Sequence, residues 1–218
     1  MLSKLYFDKN KEIVKICKGK RVLDLGVIDH DVGYEMKKNW LHGDIKKVSK
    51  NLTGIDIDST SVDVLKKKGY NVFAMNAERF NLKKKFDVVV AGDLIEHLDN
   101  VGNFLESVRN HLSGDGEFIL TTPNSLSFAN WVELIIFGKI KYINGEHTHW
   151  YDENTLRRAI ENKGFVIKEI SFVLHNPHFI GEGRTRTFFK KIRHIFGFLL
   201  CGLRKQFAPT LLMRCKKK

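Results

Sequence analysis

Cysteine is scarce in this chain of 218 residues: Cys17, Cys201 and Cys215 stand far apart, with no Cys-x-x-Cys spacing. An odd, dispersed set argues against a disulfide framework or a zinc site and fits a reducing cytosol. Long apolar runs are also lacking. None approaches the ~20 residues that cross a bilayer. The N-terminal MLSKLYFDKNKEIVKICKGK has no uninterrupted apolar centre like that of a signal peptide. The expectation is a cytoplasmic chain, neither exported nor membrane-spanning. Internal repeats and low-complexity linkers are absent, and 43% hydrophobic content supports one substantial core, hence one domain over residues 1–218.

Acidic residues are missing from the last part of the chain. Between Arg184 and Lys218 there are eleven of the 37 Lys and Arg residues and no Asp or Glu, so the remainder holds 26 basic against 25 acidic residues. The formal charge of +12 therefore belongs to a tail. An electrostatically ordinary body argues against nucleic acid as the partner. From Arg186 to Lys205, Phe188, Phe189, Ile192, Ile195, Phe196, Leu199, Leu200 and Leu203 share one helical face, with Lys190, Arg193, His194, Arg204 and Lys205 opposite. A basic amphipathic helix at about 186–205 is expected. It either packs on the sheet or lies on an anionic membrane surface, giving peripheral contact with the inner membrane face.

The remaining pattern is an alternation of strands and helices. The segment Arg21 to Asp31, RVLDLGVIDHD, reads as a buried strand stopping at Gly26, with a helix from Tyr34 to Trp40 whose N–H groups face the same crevice. Further strands are read at Leu52 to Asp56, Val72 to Met75, Phe86 to Ala91, Glu117 to Thr121, Phe165 to Val173 and Leu211 to Cys215. Helices are read at Leu5 to Ile16, from Asp58 or Ser59 to Lys68, from Val101, and from Asp152 to Asn162, with Asn100 as a cap and Gly69 and Gly164 as stops. Ser113-Gly114-Asp115-Gly116 reads as a turn. The apolar Leu126 to Phe137 has no evident place in a sheet. The class is α/β with a largely parallel sheet. Gly-x-Gly-x-x-Gly is lacking after the first strand, which disfavours a nicotinamide dehydrogenase.

The elements VLDLG, GIDID, AMNAERF, FDVVVAGDLIEHL, LSGDGEFILTTPN and HTHWYDENTLRRAIENKGF occur in an order and spacing that resembles the class I S-adenosylmethionine-dependent methyltransferases, particularly the small-molecule branch that includes quinone-biosynthesis enzymes. The resemblance implies a seven-stranded, mostly parallel Rossmann-like sheet with helices on both faces and an antiparallel last strand. It also implies S-adenosyl-L-methionine as cofactor. Its methionine part maps to Asp24, Gly26 and Val27, its ribose to Asp56, and its adenine to Ile57, Asn76 and Ala77. The wall near the transferable methyl maps to Ala91 and Asp93. A carboxylate suits the ribose because it accepts from both hydroxyls, and the Asn76 carbonyl can accept from the adenine amine. The family loop commonly reads Asp-x-Gly-x-Gly-x-Gly; here Ile28 and His30 stand at the second and third glycine positions. Side chains there narrow the pocket or redirect the loop.

Methyl transfer from a sulfonium is an in-line displacement, and a hydroxyl acceptor also needs a base. His97 in LIEHL, and His147 and His149 in EHTHW, are the candidates, each with a structural hydrogen-bonding role as the competing reading. Without a matching carboxylate cluster, two histidines do not make a metal site, and none is expected. The segment at about 124–150 is where the resemblance places a substrate cover. The expected function is methylation of a small-molecule acceptor, with a lipid-linked one among the candidates. RNA methylation, or a non-catalytic membrane-surface module on the same fold, are the alternatives.

Overall fold

A computed structural model describes residues 3–28, 40–140, 145–174, 197 and 199–218. In chain order the elements are β1 (Lys4–Tyr6), α1 (Lys9–Cys17), β2 (Arg21–Leu25), α2 (Leu41–Val48), β3 (Asn51–Asp56), α3 (Ser59–Lys67), β4 (Val72–Ala74) and β5 (Phe86–Gly92). A short 3-10 turn, Ile95–His97, precedes α4 (Val101–His111), β6 (Leu112–Pro123), α5 (Phe128–Phe137), α6 (Glu153–Glu161), β7 (Phe165–Val173) and β8 (Thr210–Lys217).

The strands form one sheet in the order β1-β7-β8-β6-β5-β2-β3-β4. β8 is antiparallel to β6 and β7, and the other pairs are parallel. All seven expected strands are present in this Rossmann-like α/β sheet. The eighth, β1, pairs Leu5 with Phe172; three residues are too few to register as an alternation, and the helix expected from Leu5 begins instead at Lys9. Asp8 starts that helix, its carboxylate accepting from Lys11 N at 3.0 Å.

Period-two alternation decides which residues enter which layer. Along β5, Val88 and Val90 face α1 and α2, where Ile13, Cys17 and Ile45 complete a cluster. Val89 and Ala91 turn to the opposite layer with Phe104 and Leu105 of α4, Leu156 and Ile160 of α6, and Phe118 and Phe165. Helices thus cover both faces, as a parallel sheet requires.

Two further boundaries differ from the sequence reading. The expected Ser113–Gly116 turn is spliced into β6: Leu112 pairs with Phe86 and Glu117 with Val88, leaving the intervening residues as a bulge. Trp40 does not end a helix but is the N-cap of α2, an element the sequence reading did not include. The expected helix at 34–39, His30 and most of the basic helix at about 186–205 lie outside the described residues. Of that last segment, residues 197 and 199–203 are helical, with Gly197 against Phe128 of α5, Cys201 buried, and Leu199 and Leu203 exposed.

Candidate active site

The strand order turns back between β2 and β5. From β2 the sheet runs one way to β3 and β4, and from β5 the other way to β6. A crevice opens at such a switch point, beyond the carboxyl ends of the strands. It measures about 1290 Å³ and runs from Asp56 and Asn76 past Gly26 to Asp93, Glu96 and His147. A drug-sized ligand fills ~300 to 1,000 Å³, so this crevice has room for a cofactor and an acceptor together.

Gly26 follows β2 with a φ of 76°. Its N–H donates to the Ile55 carbonyl at 2.9 Å, and an added Cβ would lie 3.2 Å from Leu94 Cδ1. Both the left-handed backbone and the close approach call for glycine. Val27 is buried, and its carbonyl accepts from Trp40 Nε1 at 2.9 Å. Ile28, the side chain in place of a loop glycine, donates its backbone N–H to Asp56 Oδ2 at 2.9 Å. The first loop is thereby tied to the end of β3.

Asp56 stands at that end, its other oxygen accepting from Asp58 N at 3.0 Å. Burial raises its carboxyl above the ordinary range, while these backbone hydrogen bonds pull it back. A carboxylate has about four acceptor positions, so two remain for a pair of hydroxyls. Ile57, beside it on the crevice, is 74% exposed, an apolar surface lacking a protein partner among the described residues. Asn76 and Ala77 also line the crevice. The Asn76 side-chain carbonyl is already engaged by Glu78 N at 2.7 Å, which leaves one lone pair for an adenine amine.

Asp24 is almost fully buried, its Oδ2 only 2.8 Å from His42 Nδ1. At the end of β5, the Ala91 side chain is directed away from the crevice. Alternation buries it in the α4 layer, and Gly92, Asp93 and Leu94 make the wall. Asp93 adopts a φ of 49°, rare for a residue with a side chain. Its Oδ1 accepts from Thr121 Oγ1 at 2.7 Å, and its other oxygen pairs with Lys9 at the start of α1.

The three histidines separate into two roles. His97 and His147 meet edge-on, ring centroids 4.7 Å apart, and both line the crevice. His149 is turned away: it stacks on Tyr151 with centroids 6.0 Å apart, its Nδ1 is 2.9 Å from Thr148 Oγ1, and it borders a second, smaller cavity.

The sequence reading missed Glu96, which lines both cavities. It is 1% exposed, and among the described residues neither carboxylate oxygen has a hydrogen-bond partner. Burial pushes its pKa up to about 7. One ligand atom each from Glu96, His97 and His147 lie within 4.8 Å of one another. Two imidazoles and a carboxylate suit a divalent first-row cation: the fold groups His147 with Glu96 and His97, while His149, the other histidine of EHTHW, stays outside the cluster. Adjacency to His97 in LIEHL was the available signal, but nothing local says that Glu96 turns inward.

A family model described as a methyltransferase domain matches residues 3–170. A probable S-adenosylmethionine-dependent methyltransferase of Mycobacterium tuberculosis is 27% identical over 60% of this chain and 46% of its own length. The ubiquinone biosynthesis O-methyltransferase of Rickettsia canadensis is 25% identical over 58% of each chain. The chain thus spans about half the length of these relatives. In three dimensions, a SAM-dependent methyltransferase from Archaeoglobus fulgidus superposes with a TM-score of 0.64 over 95% of this chain and 90% of its own, at 21% identity. The matched family, the switch-point crevice and the acid ending β3 agree: this chain belongs to the methyltransferase-domain family, on the class I fold that takes S-adenosyl-L-methionine as its cofactor.

Proposed function

We propose that this protein transfers the methyl group of S-adenosyl-L-methionine to a hydroxyl of a small acceptor carrying an apolar portion. The observation that carries this reading is Glu96, a buried carboxyl without a hydrogen-bond partner among the described residues, set between two cavities and grouped with His97 and His147. A buried carboxylate without a partner is costly unless it holds a proton or a cation. Both states serve an acceptor hydroxyl. With Glu96 protonated, an imidazole of the cluster, His97 or His147, takes the O–H proton; a cation held by the three residues would instead bind the oxygen and lower its pKa. The oxygen then attacks the methyl carbon in line with the C–S bond. That bond breaks, and the sulfonium leaves as the neutral thioether of S-adenosylhomocysteine. Asp56 and Ile57 are assigned to the adenosine, and Gly26 and Asp24 to the methionine part.

The apolar portion of the acceptor is assigned to the segment 124–150. None of the α5 residues is buried, and Ile135 and Ile136 are 77% and 64% exposed. With Leu199 and Leu203 also exposed, and the net positive charge of the sequence concentrated in residues 184–218, the partners that fit best are an anionic membrane surface and a lipid-linked acceptor. No described helix is long and apolar enough to cross a membrane. The ubiquinone O-methyltransferases among the relatives favour a hydroxylated aromatic over other hydroxyl acceptors.

The test is transfer of labelled methyl to hydroxylated aromatics with and without an alkyl tail, run with chelator and with added divalent cation. Ether product from the tailed aromatics, abolished in Glu96→Gln, is expected. Label appearing in amines or in RNA, or full turnover by that variant, overturns the reading.

A further inference from the structure

Asp24 and His42 form a pair beneath the crevice, their side chains 3% and 1% exposed. Alternation along β2 turns Asp24 to the same face as Val22, which α1 and α2 cover. His42, in the first turn of α2, meets it there, and both residues border the crevice. An ionised carboxylate only accepts hydrogen bonds, so Nδ1 of the ring is the donor. That contact occupies Oδ2 and leaves Oδ1 for a ligand. Burial raises the Asp24 carboxyl above its ordinary range, toward the neutral form that has no charge to offer a cation; the hydrogen bond and charge of His42 act against that rise and reduce it.

The imidazole is itself held in place. Trp40 and Tyr70 pack on it, centroids 5.4 and 5.9 Å away. Opposite lies Gly54 of β3, where an added Cβ would come within 2.7 Å of His42 Cε1. Glycine in the middle of that strand makes room for the ring. Trp40 also holds the Val27 carbonyl, so one cluster fixes the histidine and the first loop together.

We propose that His42 is a positioning residue for the amino-acid end of the cofactor: it holds Asp24 with one oxygen turned to the crevice, where the α-ammonium group is recognised. This rests on placing the methionine part of the cofactor over Asp24 and Gly26, as above. The adenosine end, assigned to Asp56 and Ile57 beyond β3, is recognised independently of the pair.

Two ligands separate these ends. S-adenosylhomocysteine carries the ammonium; 5′-methylthioadenosine has the adenosine and thioether without the amino acid. Titration calorimetry on the wild type, His42→Phe and His42→Asn, with thermal melting to check folding, gives the expected pattern. His42→Phe loses ~10-fold or more in affinity for S-adenosylhomocysteine, as expected for a lost hydrogen bond to a charged group. It keeps methylthioadenosine affinity within about twofold, and His42→Asn, which retains an N–H donor, recovers most of the loss. Asp24→Asn makes the same test without leaving a buried charge unpaired and is expected to show the same selectivity. Equal losses for both ligands, or no loss for either, overturn the proposal. Failure of the wild type to bind either ligand would instead remove the cofactor placement beneath it.

Discussion

Glu96 holds Thr148. The Glu96 carbonyl accepts from Thr148 N at 2.9 Å and from Thr148 Oγ1 at 3.1 Å, and the same hydroxyl reaches the Leu98 carbonyl at 3.1 Å. These contacts join positions 52 residues apart in the chain and pin the EHTHW segment to the turn after β5. His147 is thereby set beside His97 and the Glu96 carboxyl. Thr148→Val keeps the backbone bond but removes the hydroxyl. Its turnover is expected to fall while cofactor affinity, measured by titration calorimetry, stays unchanged; matched losses in both would place Thr148 in the cofactor site.

Asp56→Ala is expected to weaken S-adenosylmethionine and S-adenosylhomocysteine alike. Hydrogen bonds to a charged acceptor are worth ~1.5 to 3 kcal/mol each, so the loss should be at least tenfold. The variant also frees Ile28 N and Asp58 N, which Asp56 now holds, so the first loop should show faster amide hydrogen exchange. Affinity equal to the wild type would remove Asp56 from the site.

His147→Ala is expected to slow turnover by ~100-fold or more, the usual cost of losing a general base, with little change in cofactor affinity. His149→Ala is expected to do much less, because its ring stacks on Tyr151 away from the crevice. The measurement is kcat on a hydroxylated acceptor. The opposite order would return His149 to the centre of the mechanism.

The Glu96 carboxyl also predicts a pH dependence of stability in chelator-treated protein. It ionises near its ordinary 4.5 when unfolded but at about 7 when folded. The folded state binds the proton more tightly, so this contribution is complete below pH 4.5 and is lost as the pH rises through 7. The span corresponds to on the order of 3 kcal/mol, as an upper bound. Urea denaturation of Glu96→Gln should show a shallower decline between pH 5 and 8 and a gain in stability at pH 8. Identical slopes in both proteins would refute it.

Ile135→Ser with Ile136→Ser is expected to reduce binding to anionic vesicles without lowering the melting temperature, because both side chains are already exposed. Wild-type binding should fall as salt rises, since the basic tail acts over a Debye length of ~8 to 10 Å. Sedimentation with anionic and neutral vesicles measures both effects. No wild-type binding at low salt would exclude the membrane reading.

Much of this was legible in the sequence because it is local. The helix start at Asp152, the Gly164 stop with its positive φ, the seven strands and the acid ending β3 all follow from period, capping and turn chemistry over a few residues. What the tertiary structure alone decided depends on residues that meet across the chain. β1 exists because β7 offers it an edge. Asp24 finds His42 because alternation and the docking of α2 put both on one face. Glu96 joins His97 and His147 because the Thr148 contacts fold a distant segment over the end of β5. A carboxylate's solvation and partners are properties of its surroundings, which no local pattern encodes, so the sheet and the place of its crevice were readable from the chain while the chemistry of the crevice's inner wall was not.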